Sequence, residues 1–532
     1  MSEEKLASAD PSTASQPASM MSPDLSWFGV LEHHARRTPD KHLAICGDDI
    51  VTYAEMAHRS AALAAGLHAR GIGAGDVVGL LSYNNIEFLT TMFGANYLGA
   101  IVMPLNWRLA AAELRFILEH SRARVLVCDE PLVKLADEAT KEFDDLLRIG
   151  ISVGSPVGWE PFSDLAVAPV PPPRAYAHGD DIHRLMYTSG TTGRPKGVMI
   201  THANLAWKNY AHITEFELTS ADVGLACGPL YHVGALDLTT TSLIAAGSTT
   251  IIHKTFDAVN VVDEIEGSRV TTLWMAPAMV RSVLDLPRIE ERDLSSVRLL
   301  IGGGEKMPVP FIERLQRAFS SAWFADAYGL TETVSGDTFL DHGSTRSKLG
   351  SVGRPCQYLE LDIWDERGAS LPPGERGEVV LRGPKVFKGY WRDPDATKAA
   401  FDGGWFHTGD IGLRDDDGYL FIVDRLKDMI VSGGENIASS EIERVLYEHE
   451  SVVEAAVVGR PDERWGEVPI AYVVFRSGAT TTPKNILEHC RENLARFKVP
   501  KEVVPIDALP RNPSGKVLKR ELRRSTFPSV QG

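Results

Sequence analysis

From Val51 to Cys128 uninterrupted apolar runs alternate with helix-period stretches. That alternation directs the chain towards βαβ units and a largely parallel sheet covered by helices. Thr52-x-x-Glu55 forms a capping box, and the Ala/Leu-rich stretch behind it predicts a helix ending at Gly71. The apolar run Val77–Leu81 follows. The uncharged stretch Phe88–Trp107 is long enough to resemble a membrane span, yet it holds Thr90, Thr91, Asn96, Gly99, Pro104 and Asn106. It predicts a buried helix, a stop near Gly99 and a short strand at Ala100–Met103. An amphipathic stretch, Ala110–His120, precedes Arg124–Cys128. The pattern recurs around Thr249–His253, Val261–Glu266, Thr271–Met275 and Arg298–Ile301.

From about Gly353 the character changes. Short alternating runs (Leu359–Trp364, Gly377–Arg382, Tyr419–Val423) lie between Gly, Pro and Asp turns and predict a β-rich subdomain. Beyond Asp424-Arg425-Leu426-Lys427 the pattern predicts a small α+β unit. Its elements are a helix opened by a Ser440-x-x-Glu443 capping box, strands near Val453–Val458 and Ile470–Phe475, a helix near Lys484–Leu494 and a strand near Val503–Ile506. At the other end, Met1 to Ser22 is rich in Ser, Ala and Pro and reads as a disordered tail, without the apolar core of a signal peptide. Pro169–Pro173 reads as a connector.

Charge and cysteine usage narrow the function classes. Lys plus Arg number 55 against 71 Asp plus Glu, a net charge of −16 that argues against nucleic acid or anionic lipid as a partner. The five cysteines, Cys46, Cys128, Cys227, Cys356 and Cys490, lie far apart. They form no disulfide framework or zinc ribbon and fit a reducing, cytoplasmic setting.

The strongest chemical signal is Tyr187-Thr-Ser-Gly-Thr-Thr-Gly-Arg-Pro-Lys-Gly-Val198. Thr188, Ser189, Gly190, Thr191, Thr192 and Gly193 combine close backbone approach with hydroxyl donors, and Lys196 adds a point charge. That combination suits phosphate. It is not a Walker A loop, because Lys196 is followed by Gly197 rather than Ser or Thr.

Further motifs follow in order: Pro229-Leu-Tyr-His-Val233; Tyr328-Gly-Leu-Thr-Glu-Thr333; Trp405-Phe-His-Thr-Gly-Asp-Ile411; Asp424-Arg-Leu-Lys-Asp-Met-Ile430 with Ser432-Gly-Gly-Glu-Asn436; and Pro510-Arg-Asn-Pro-Ser-Gly-Lys516. With this set the chain resembles the adenylate-forming superfamily over nearly its whole length after the tail. That superfamily includes acyl-CoA synthetases, luciferase-like enzymes and adenylation domains of peptide synthetases. The wording of Asp424–Asn436 is most similar to bacterial fatty-acyl-CoA synthetases.

The resemblance implies an α/β fold: a large N-terminal domain of parallel-sheet αβαβα layers plus the β-rich subdomain, and a small mobile α+β C-terminal domain. The expected boundaries are 1–22 for the tail, 23–424, a hinge at 425–427 with Lys427 as its pivot, and 428–532. It implies ATP, Mg²⁺ and coenzyme A, and two steps: a carboxylate forms an acyl-adenylate, then a thiol displaces AMP. Two anions must meet in the first step, so cations and oriented donors must offset their repulsion.

Residue roles follow from the same resemblance. Glu332 would ligate Mg²⁺, and Thr331 would bind phosphate. Tyr328 would offer a face to adenine opposite Gly302-Gly303-Gly304, with Glu305, Ala327 and Gly329 completing the nucleotide set. Ala327 departs from the family's usual Gly. Asp410 and Arg425 would hold the ribose. Lys516 would bridge the carboxylate and the α-phosphate in the first step, where lysine acetylation by an acetyltransferase would silence it. His232 would line and gate the acyl pocket with Val233, Ala235, Leu236, Trp274, Ala276 and Gly302. After adenylation the small domain would rotate, and Ser432, Gly433 and Gly434 would line a pantetheine tunnel.

The apolar pocket elements suit a hydrophobic acid, and the motif wording points to a medium- or long-chain fatty acid, with an aryl acid or a steroid side-chain acid as the alternatives. A stand-alone adenylation domain is disfavoured, because Val233 stands where amino-acid-activating relatives place Asp. A silent binding protein is disfavoured by intact Lys196, Glu332, Asp410 and Lys516. A homodimer is left open.

Overall fold

The structure, a computed structural model, describes residues 24–152, 157–165, 171–188, 195–305, 307, 309–432, 435–462, 464–511 and 516–525. Thus the tail, Ser189, Gly190, Thr191, Thr192, Gly193, Gly433, Gly434 and part of the Pro169–Pro173 connector lie outside the described residues.

Two large sheets carry the N-terminal domain. One runs Gly389–Tyr390, Lys196–Thr201, Ile182–Thr188, Ile101–Pro104, Val77–Leu81, Ala123–Asp129, Leu147–Ile151 and Glu160–Pro161; its strands from Ile182–Thr188 to Glu160–Pro161 are parallel. The other is ordered Arg354–Pro355, Thr338–Phe339, Trp323–Tyr328, Leu299–Gly303, Thr272–Met275, Val223–Ala226, Thr249–Ile252, His42–Cys46 and Asp49–Thr52. It is parallel from Trp323–Tyr328 to His42–Cys46. A third sheet, Glu360–Trp364, Gly377–Arg382, Trp405–Arg414 and Phe401–Asp402 with Leu420–Arg425 paired on Trp405–Arg414, is the expected β-rich subdomain.

Local chemistry accounts for these elements. Thr52 opens the helix Tyr53–Ala69 with the expected reciprocal cap: Glu55 N–H donates to Thr52 Oγ1 at 3.2 Å, and Thr52 N–H donates to Glu55 Oε2 at 2.8 Å. The uncharged stretch is a buried helix, Ile86–Tyr97, followed by Gly99 at φ 72° and the strand Ile101–Pro104. Among the described residues no helix is long and apolar enough to cross a membrane.

The small C-terminal domain has the hairpin Val452–Asp462 and Gly466–Phe475, with Ile430–Ser432 and Glu435–Ile437 on one side and Glu502–Pro505 parallel on Gly466–Phe475. One expectation fails here. Ser440 does not cap a helix; the helix is Ser439–Tyr447, its N-cap position is Ala438, and no side chain of that residue caps it. Asp424, from the third-sheet strand Leu420–Arg425, accepts instead from Ser439 N–H (2.6 Å) and Ser439 Oγ (2.5 Å). Glu443 is drawn away to Val457 N–H at 2.8 Å and to Lys519 at 2.8 Å. A carboxylate brought in by the fold satisfies the helix start better than a local hydroxyl, and it also favours the positive end of the helix dipole.

Candidate active site

The site gathers at the ends of the parallel strands and is closed by the C-terminal domain. The hairpin Ile182–Thr188 and Lys196–Thr201 places Thr188 opposite Lys196, at the two ends of the phosphate-type loop. Strand Trp323–Tyr328 delivers Tyr328, whose hydroxyl donates to Asp410 Oδ2 at 2.8 Å. Asp410 is buried and faces Arg425 directly across an antiparallel register, with Arg425 Nε 3.1 Å from Asp410 Oδ1. Burial, and then the Asp410 charge, pushes the Tyr328 phenol well above its ordinary range, so it stays a donor.

Glu332 sits in the short turn Thr331–Thr333. Burial raises its pKa, partly offset by hydrogen bonding and by Arg425 and Lys516. An oxygen donor so desolvated fits a hard dication, which would restore full ionisation. One partner was not anticipated. Tyr390 OH donates to Glu332 Oε1 at 3.0 Å, and Lys196 Nζ stands 4.8 Å from the centre of the Tyr390 ring. One tyrosine thus joins the metal-type carboxylate to the phosphate-type lysine. It reaches them because Gly389–Tyr390 pairs as an edge strand on Lys196–Thr201, a non-local contact that no local motif announces.

Lys516 lies among Arg425, Asp410, Glu305 and Glu332. Burial and then Arg425 lower its pKa, while the three carboxylates pull it back up. Glu305 is engaged from the small domain: its Oε1 accepts Val517 N–H at 3.3 Å, and Arg511 Nη1 is 3.6 Å from its Oε2. Beside it Gly303 and Gly304 take φ 158° and 99°. A Cβ on Gly303 would stand 2.8 Å from Ala327 O, and one on Gly329 would stand 2.4 Å from Gly336 N; both glycines are fixed by close backbone approach. Gly302 turns its Cβ side to the Phe324 ring, so only its backbone can face a pocket.

The acyl-type wall runs from His232 into a π-helical stretch, Gly234–Thr240. His232 Nδ1 accepts Gly234 N–H at 3.1 Å, which leaves the ring proton on Nε2. Burial, with the nearby Lys516 charge, pushes its pKa down to about 4, so His232 is neutral at pH 7. Val233, Ala235 and Leu236 are buried, and Ala276 is half-buried. Trp274 is 4% exposed and stacks on His232, with ring centroids 6.3 Å apart and planes at 20°. Behind the wall lies a polar network that sequence reasoning missed. Asp237 Oδ2 pairs with Arg184 at 2.5 Å, and Lys208 Nζ donates to Asp237 O, Thr241 Oγ1 and Ser242 Oγ at 2.6, 2.7 and 3.0 Å. Burial pushes Lys208 down to about 7.

Ser432 is not gathered with these groups. It is held in the small-domain sheet, paired with Glu435 and Gly466. Lys427 lies in the short turn Leu426–Asp428 that leaves the last strand of the third sheet.

This arrangement can hold a nucleotide between Tyr328, Asp410 and Arg425, neutralise phosphate with Lys196 and Lys516, and present a hydrophobic acid from the His232–Trp274 side. Residues 31–391 match the AMP-binding enzyme family, and residues 441–516 match the AMP-binding enzyme C-terminal domain. The chain belongs to the AMP-binding enzymes. Its activity is that of an AMP-forming acyl-CoA synthetase using ATP, Mg²⁺ and CoA. It is 40% identical to a feruloyl-CoA synthase of Amycolatopsis sp. over 92% of this chain and 97% of that protein. It is 39% identical to the long-chain-fatty-acid–CoA ligase FadD13 of Mycobacterium tuberculosis over 90% of this chain and 94% of that one. Among solved structures it resembles the O-succinylbenzoate CoA synthetase MenE of Bacillus subtilis in complex with ATP and magnesium ion. That likeness has a TM-score of 0.83 and 32% identity, and covers 93% of this chain and 99% of the other.

Proposed function

We propose that the acid is a hydrophobic one with a planar group next to its carboxylate-bearing end, an aryl or arylalkyl acid, which this enzyme joins to CoA. The observation that carries this reading is the near-parallel packing of two planar rings, Trp274 on His232, with centroids 6.3 Å apart. A planar acyl group packed beside such rings makes offset-stacking contacts that a saturated chain does not make. The 40% identity to a feruloyl-CoA synthase supports it. A medium- or long-chain fatty acid is the second reading, favoured by the apolar run Val233–Leu236 and by the 39% identity to FadD13. Comparing kcat/KM for cinnamates and benzoates with C4 to C16 fatty acids decides between them. A maximum on a cinnamate or benzoate supports the first reading, and a rise towards C12–C16 overturns it.

In the first step a carboxylate oxygen attacks the α-phosphorus, and the bond from that phosphorus to the bridging oxygen breaks, releasing pyrophosphate. Lys516 lies over both anions and Lys196 holds the outer phosphates with the 188–193 segment. Tyr328 covers the adenine, Asp410 accepts from the ribose hydroxyls and Arg425 holds Asp410 in place. Glu332, oriented by Tyr390 and with Thr331 beside it, would hold Mg²⁺, which when bound neutralises phosphate charge. His232, neutral, gates the acyl side. In the second step the CoA sulfur attacks the acyl carbon and AMP leaves. The thiol must reach the carbon that Lys516 covers, so the segment carrying Lys516 must withdraw. Residues 425–427 serve as the hinge between units 23–424 and 428–532, and Ser432, Gly433 and Gly434 approach in its place. A withdrawn Lys516 would also be open to an acetyltransferase, whose product lacks the charge the first step needs.

A further inference from the structure

The two domains meet across a short run of alternating charges beside Lys516. Glu305, just beyond the large-domain strand Leu299–Gly303, faces Arg511 of the small domain at 3.6 Å. Arg511 Nη2 lies 3.3 Å from Glu454 Oε1, on the strand Val452–Asp462. The same Glu454 oxygen is 3.7 Å from Arg281 Nη1, which returns the run to the large domain in the last turn of helix Pro277–Leu284. Arg281 Nη1 also donates to Val453 O at 3.4 Å, and its Nε stands 3.5 Å from Asp285 of its own domain. The signs therefore alternate along Glu305, Arg511, Glu454 and Arg281, and the run crosses the domain boundary twice.

This run bears directly on Lys516. Arg511 and Val517 bridge antiparallel, and Leu518 N–H donates to Pro510 O at 2.7 Å, so both ends of the Lys516 segment are pinned together. Glu305 grips both ends at once, through Arg511 and through Val517 N–H. Whatever holds these two residues against the large domain holds Lys516 in the site. The side chains of Glu305, Arg511, Glu454 and Arg281 keep 33%, 27%, 24% and 30% of their surface exposed. Pairs this wet are weak, each shifting a population by a factor of about two to five. Weakness is what the reaction needs, because the contact must open in every turnover.

We propose that Glu305, Arg511, Glu454 and Arg281 form an electrostatic latch that sets the balance between the arrangement with Lys516 in the site and the one with Lys516 withdrawn. The latch thereby divides rate between adenylation and thioester formation. Its members are positioning residues, acting through the segment that carries Lys516. The inference rests on the two-arrangement reading above.

The test uses Arg281→Gln, Glu454→Gln and the double variant in the full chain, with single-turnover rates for each half-reaction. Pyrophosphate release from acid and ATP reports the first, and acyl-CoA formed from supplied acyl-adenylate reports the second. Each single variant is expected to slow adenylation about two- to fivefold while thioester formation holds or rises. The double variant should be no slower than the worse single, since both break one contact. An equal fall in both half-reactions, an unchanged ratio, or additive losses would overturn the latch. Lys427→Pro, run beside them, separates the two ideas. If it shifts the ratio and the latch variants do not, the latch fails alone. If it too leaves the ratio unchanged, the two-arrangement reading fails with it.

Discussion

Trp274→Ala asks whether the indole is a wall of the acyl pocket or only core. The side chain is 4% exposed and is cradled by three glycines from three places in the chain. A Cβ would stand 2.5 Å from the ring at Gly234, 2.7 Å at Gly228 and 3.8 Å at Gly304. Removing a buried indole costs about 3–5 kcal/mol of stability. We expect the upper end, because glycines have no side chains that could swing in and refill the space. If that space is continuous with the acyl pocket, a larger acid can fill it instead. Each buried methylene would recover about 0.8 kcal/mol, or about fourfold in kcat/KM, so three would recover about 60-fold. The assay is the variant-to-wild-type ratio of kcat/KM across benzoates, cinnamates and C4 to C16 fatty acids. The ratio should lie below one for small aryl acids and climb with acyl size. A ratio equal for every acid would refute the reasoning and make Trp274 structural.

Lys516→Ala should slow adenylation by about 10²–10³, the usual loss for one preorganised donor to a developing charge, while acyl-CoA formation from supplied acyl-adenylate stays within about threefold; equal losses in both halves would contradict the role. Tyr390→Phe keeps the ring under Lys196 but removes the hydroxyl from Glu332. It should raise the Mg²⁺ concentration for half-maximal protection of the ATP-bound protein against thermal unfolding, whereas Tyr390→Leu should also weaken binding of ATP measured without metal; identical behaviour of the two would show that the hydroxyl is idle. Stability should fall as pH drops from about 6.5 towards 4. His202 and His232 are each pushed down to about 4, chiefly by burial, and His183 and His212 lie well below their ordinary value for the same reason. These rings bind protons only when unfolded, so the neutral fold is favoured above the unfolded pKa and loses up to about 1.4 kcal/mol per histidine per pH unit below it. Urea midpoints unchanged between pH 7.5 and 5 would argue against buried neutral histidines.

Much of this protein can be read locally. The Thr52 and Glu55 cap, the stop at Gly99 and the strand Val77–Leu81 depend on neighbours a few residues apart, so sequence alone determined them. The contiguous motifs likewise carried the reaction class, since a phosphate loop or a Thr-Glu pair works within one turn of chain. What sequence could not reach were contacts whose partners lie far apart. Tyr390 meets Glu332 across 58 residues, Asp424 rather than Ser440 completes the helix at Ser439, and Glu305 meets Val517 across 212. Three glycines shaped around one indole form no pattern along the chain. Side-chain spacing is periodic only within a helix or strand; between them it is set by how sheets and domains pack. Tertiary structure therefore decided how Lys516 is held, what Trp274 fills and how the carboxylates are oriented, while sequence by itself determined which chemistry those groups serve.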